Sequence, residues 1–145
     1  MQRDHGLVRR AYPHPLHAIL LGGALTLFVG ALLSDWAYSS SAEIQWKNFS
    51  SWLLVGALVL SGFALLWAAI GLVRGDNRGA RLFYPLALLA AWIAGFVNAL
   101  IHAKDAWASM PDAVILSVIT VILIALAVWL GFFTRTPRFG RGDLA

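Results

Sequence analysis

Four long apolar runs, parted by short polar segments, dominate the pattern along this chain. A hydrocarbon core about 30 Å thick takes about 20 apolar residues in a helix rising 1.5 Å per residue. The runs predict helical spans over about 15–36, 50–73, 82–102 and 112–133. Tails 1–13 and 134–145 are left over, too short and polar for a domain of their own. The predicted fold is all-α: one integral membrane domain over 1–145, an antiparallel up-down four-helix bundle.

Local signals mark the ends of the spans. Tyr12-Pro13 and His14-Pro15 keep the entering chain extended, and Pro15 suits a first helical position. Gly71 and Arg74-Gly75-Asp76-Asn77 stop span 2, and Pro85 is tolerated in the first turn of span 3. Ser109-Met110-Pro111-Asp112 reads as the capped start of span 4, which Thr134-Arg135-Thr136-Pro137 ends. The first run could instead be a signal peptide. It is about twice the usual 7–15 residues, and Ser39-Ser40-Ser41-Ala42 is a weak cleavage site, so an uncleaved anchor is expected.

Lipid gives helices no hydrophobic reason to associate, so close packing needs small residues. Gly22, Thr26, Gly30 and Ser34 form one such stripe on span 1, and Ala87, Ala91, Gly95 and Ala99 another on span 3. Ala57/Ser61 and Ala64/Ala68 offer shorter ones on span 2. Helix 1 is therefore expected against helix 3 or a copy of itself. Span 4, rich in Val118, Ile119, Val121, Ile122, Leu123 and Ile124, is expected to face lipid more than the others.

Charge adds an orientation. All nine arginines fall in three clusters, Arg3/Arg9/Arg10, Arg74/Arg78/Arg81 and Arg135/Arg138/Arg141, with an even number of spans between successive clusters. Lys47 and Lys104 lie in the two segments on the other side. Short cytoplasmic loops retain Lys and Arg. Both termini are thus expected inside, with 37–49 and 103–112 outside. Trp36, Tyr38, Trp46, Trp52 and Trp107 would form the outer aromatic belt, and Tyr12, Tyr84 and Trp129 the inner one. A hydrophobic share of 60% and mean hydropathy of +0.75 agree with a membrane protein. The net charge of +4 belongs to topology and anionic lipid, not nucleic acid, since no basic stripe is interleaved with stacking aromatics. With no cysteine, disulfide, Fe–S and thiol chemistry are absent.

Two groups of residues could carry chemistry. Asn98, His102 and Asp105 follow at i, i+4 and i+7 on span 3, at the same predicted depth as Asp35 and Asp112. This outer polar cluster of Asp35, Asn98, His102 and Asp105 reads either as helix-end pairing or as a proton- or ion-handling site. Packing of helices 1 and 3 would bring Asp35 near Asn98 and His102. His14 and His17, in His-Pro-Leu-His, read as a cap and an interfacial polar residue, or as ligands to a metal or haem iron. No cysteine or second His/Glu pair completes a metal shell beside them, so no metal is expected. Asp4 and His5 lie nearby, on the tail. A bis-histidine haem fails on depth, because His17 and His102 are at opposite ends of their spans, on the order of 25–30 Å apart. A haem would need one axial His, a second chain or a partner. No Walker loop, Ser-His-Asp set or mid-membrane carboxylate pair is present, so no catalytic residue is assigned.

His14-Pro15 opening span 1, Asp35 closing it, Gly71 ending span 2 and the four-span layout together resemble a family of small bacterial membrane proteins, domain of unknown function 2231, over about 12–133. The resemblance implies a four-helix protein of the bacterial inner membrane with no settled activity, some relatives looking like companions of redox proteins. The expected function is a non-catalytic anchor or partner subunit with no cofactor. It would contact the lipid bilayer and a second copy or a membrane redox partner. A haem-associated subunit using His14, His17 or His102 is the alternative, and a proton- or ion-handling component using Asp35 and His102 a third.

Overall fold

A computed structural model describes residues 14–74 and 82–133. Every arginine cluster except Arg74 falls outside them, as do Asp4, His5 and Tyr12. The described chain is helical, in the order α1 (Pro15–Ser41), α2 (Ile44–Arg74), α3 (Phe83–His102), a short 3-10 turn (Ala106–Ser109) and α4 (Asp112–Phe133). All four α-helices are long and apolar enough to cross a membrane.

Spans 3 and 4 lie where expected. Pro85 sits in the first turn of α3, and the Pro111 carbonyl accepts the Ile115 N–H as α4 begins. Ser109 is buried in the 3-10 turn that precedes α4.

Helices α1 and α2 overrun their predicted ends. They have 27 and 31 residues, about 40 and 46 Å of rise. Only Ala42 and Glu43 separate them, where 37–49 was expected to be a loop. The polar residues past Trp36 are unsuited to hydrocarbon, but nothing among them breaks a helix until Ala42. Ala42 adopts a left-handed conformation (φ 57°), and its N–H closes onto the Tyr38 carbonyl at 2.8 Å. Lys47 is accordingly helical, and its Nζ donates to the Lys104 carbonyl at 2.8 Å, tying α2 to the segment after α3.

The helices surround one core. Helix α1 packs chiefly on α2 and also on α4, while α3 packs on α4 and α2. The expected α1–α3 seam of small residues is therefore not the main contact. The span 1 stripe drifts round its helix: Gly22 and Thr26 are exposed, Gly30 meets Leu53 of α2, and Ser34 is buried. The span 3 stripe does face inward. Gly95 there receives the Phe28 ring, which reaches across from α1; a β-carbon at Gly95 would lie 2.8 Å from it.

Helix α4 is not the more lipid-facing one either. Its buried share equals that of α1 and α3, and α2 has the smallest. Its inward face reads Ala113, Ser117, Thr120, Ile124, Ala127 and Gly131. Small side chains fill the interior, including Ala24, Ala31, Ala57, Ala64, Ala91 and Ala127, while Ile19, Trp52, Val73 and Phe83 point outward. In water such a surface would aggregate; in lipid it is the expected solution.

Trp36, Trp46, Trp52, Trp107 and Trp129 are exposed as belt residues should be. Tyr38 is not. It is buried with its ring 5.5 Å from that of Trp107.

Candidate functional site: a polar cluster joining four helices

Asp35 lies about two turns before the end of α1, with none of its surface exposed. An isolated carboxylate there would cost several kcal/mol, so its partners decide what it is. Oδ1 is 2.8 Å from His102 Nε2 at the end of α3, and Oδ2 accepts the Ser117 hydroxyl of α4 at 2.5 Å. Ser50 of α2 completes the set, with Oγ 3.1 Å from His102 Nε2 and 3.3 Å from the Ala31 carbonyl. Asn98, one turn before His102, donates from Nδ2 to Ser117 Oγ at 2.7 Å. Its Oδ1 is buried with no hydrogen-bond partner among the described residues. Every helix contributes at least one group.

The partners fix the proton inventory of the ring. His102 Nδ1 is 2.9 Å from the Asn98 backbone oxygen, which can only accept, so Nδ1 carries a proton. With Ser50 turned to the Ala31 carbonyl and Ser117 to Oδ2, a further proton must lie between Nε2 and Oδ1. It makes either an imidazolium beside a carboxylate or a neutral ring beside a carboxylic acid. Both are neutral overall, which is how the pair tolerates burial.

Tyr38, Ser109 and Ala113 are buried close to this cluster in sequence. Asp35, Asn98 and His102 thus come together; Asp105 does not join them. It is exposed, in extended conformation ahead of the 3-10 turn. Asp112 is exposed too, 3.7 Å from Lys104 Nζ.

A second polar contact lies at the other pole. His17, buried in α1, has Nε2 2.6 Å from the Tyr84 hydroxyl of α3. Its ring is 5.9 Å from that of Trp67, which is 5.2 Å from the exposed His14. His14 caps α1, Nδ1 accepting the Leu16 N–H at 3.3 Å. His17 meets Tyr84 and Asp35 meets His102, both across 67 residues of sequence. Helices α1 and α3 therefore run in the same sense, and the two contacts are eighteen residues, about 27 Å, apart on each. His17 and His102 are separated by that distance. Among the described residues no three His, Cys, Asp or Glu side chains converge as a metal-binding group.

Sequence reasoning missed Ser50, Ser117 and the pairing of Tyr84 with His17. Ser117 and Thr120 were detectable, being the only polar side chains in α4 after Asp112; polar side chains in a span turn inward. Ser50 had no such signal beside Ser51.

No curated protein and no solved structure matches the chain. The family described as predicted membrane protein (DUF2231) matches residues 13–134, which takes in all four helices and both polar contacts. With that match over most of its length, the chain belongs to the DUF2231 family of predicted membrane proteins.

Proposed function

We propose that this is a small non-catalytic protein of the bacterial inner membrane, an antiparallel up-down four-helix bundle with both termini cytoplasmic. It serves a membrane assembly as anchor or partner subunit, working through its lipid-facing surface. The observation that carries this reading is the close packing of the helices on one another. Phe28 occupies the middle against Gly95, and the mid-depth hydroxyls Ser61 and Thr120 donate to carbonyls of their own helices. Orientation is supported by Arg74 at one pole, with Lys47 and Lys104 at the other. Photo-crosslinkers placed at the exposed Gly22 and Thr26 in native membranes test it. Adducts to a second copy or another membrane protein are expected; lipid adducts alone from all outward faces would refute it.

Proton handling is a second reading, favoured by the buried contact between Asp35 and His102. It predicts that Asp35→Asn leaves the fold intact but changes the pH response of the assembly. A haem-associated role using His14, His17 or His102 would need a single axial histidine or a second chain, because His17 and His102 are about 27 Å apart. A reduced-minus-oxidised spectrum of the purified protein decides it. Low-spin bands lost in both His17→Ala and His102→Ala would contradict the separation described here.

A further inference from the structure

Between the first turns of α1 and the last three turns of α2 an apolar groove of about 550 Å³ opens sideways from the bundle. Leu16 and Leu20 form one wall, Phe63, Trp67 and Ile70 the other, and Arg74 closes one end. Gly71 keeps it open: a β-carbon there would meet nothing within 4 Å.

Its length and its ends point to an occupant. From Phe63 to Arg74 the helix rises about 16 Å, close to half of a ~30 Å hydrocarbon core. With the helices crossing a bilayer, a groove of that length would run about the depth of one leaflet and put the Arg74 guanidinium near the headgroups. A partner helix would need small residues along the contact to approach closely; these walls are Leu, Phe, Trp and Ile, with one glycine. A flexible acyl chain fits such an irregular channel, and a guanidinium suits a phosphate. Arg78 and Arg81 follow Arg74 in sequence, which favours anionic headgroups further. His14, against Trp67 at the same pole, uses Nδ1 for its cap and retains Nε2 as a donor.

We propose that this groove binds an anionic phospholipid, one acyl chain lying between α1 and α2 and the phosphate on Arg74. The site requires only that the helices cross a bilayer, so it stands apart from the partner-subunit reading. It also places a lipid chain against Trp67, the ring that packs on His17.

The test is native mass spectrometry of the full chain exchanged into phosphatidylglycerol or phosphatidylcholine with the same acyl chains. Wild type is expected to retain phosphatidylglycerol preferentially. Arg74→Gln should lower that preference about fivefold, the change for one basic side chain at a headgroup. Gly71→Phe, which fills the groove, should lower retention of both lipids. Both positions are exposed, so helicity and thermal transition should match wild type. Equal retention of the two lipids, or a preference untouched by Arg74→Gln, would overturn the proposal. So would a preference that falls only when Arg78 or Arg81 is replaced. If Gly71→Phe abolishes a dimer mass instead of bound lipid, the groove belongs to a second copy and the lipid site is wrong.

Discussion

Replacing Asp35 separates a hydrogen-bonded joint from a charge pair. Asp35→Ala removes two contacts, those with His102 and Ser117. Ser117 loses little, because its hydroxyl can turn to a carbonyl of its own helix, as Ser34, Ser61 and Thr120 already do. His102 keeps Ser50 but loses its stronger partner in a site where only 5% of the residue is exposed. Side-chain hydrogen bonds in membrane proteins average about 0.6 kcal/mol, and a buried group stripped of its partner costs roughly 1–3 kcal/mol. Together these put Asp35→Ala at roughly 1.6–3.6 kcal/mol. Asp35→Asn behaves differently. The new amide can accept from Ser117 through its oxygen and donate through its nitrogen to a neutral His102, whose Nδ1–H remains on the Asn98 carbonyl. That exchange should cost well under about 1 kcal/mol. Reversible unfolding in mixed micelles, at fixed pH, measures both. An alanine variant within about 0.5 kcal/mol of wild type, or an asparagine variant less stable than the alanine one, would show that the joint is not built this way.

Four further outcomes follow from packing and topology. Gly95→Ala should destabilise by about 1–3 kcal/mol by overpacking against Phe28, and Phe28→Leu in the same chain should recover part of it in the same unfolding assay. Gly22→Ala, exposed and with nothing within 4 Å of the new carbon, should instead be neutral or stabilising by up to about 1 kcal/mol. Tyr84→Phe should cost about 0.6 kcal/mol through the lost contact with His17; no change would mean that this contact does not hold the pole. Reporter fusions at Gly75 and at the C-terminus should both behave as cytoplasmic, and an external signal from either contradicts the proposed orientation.

The helices were legible wherever hydropathy and helix signals agree. Pro85, Pro111 and Asp112 mark ends for α3 and α4 that coincide with the ends of their apolar runs. The two criteria part company after Trp36. Hydropathy falls there because Ser39, Ser40, Ser41 and Glu43 are polar, yet no proline or glycine stops the helix. The turn is made by Ala42 in a left-handed conformation, where a glycine would have announced it. At the polar site, the helical period placed Asn98 and His102 on one face, and the run lengths matched their depth to Asp35. Asp105 has the same period but falls beyond the end of α3 at His102, so the spacing no longer applies to it. Which helices touch was not legible. Phe28 and the His102 ring reach α1–α3 contacts across the centre, a side-chain matter that backbone stripes of small residues do not report.

The equal spacing of the two polar contacts along α1 and α3 has a mechanical consequence. Sliding one helix along the other by a single residue, about 1.5 Å, opens His17–Tyr84 and Asp35–His102 together, since neither can lengthen while the other holds. A four-residue slip, about one helical turn, finds no replacement pair at both ends: in one direction it sets Leu21 against Tyr84, and in the other Ala31 against His102. Shear, one of the two common ways in which packed helices shift between states, is therefore closed to this pair. Tilting or rotating the helices about contacts that stay made is the motion left open. A partner docked on the lipid-facing surface could act on the protein by that route.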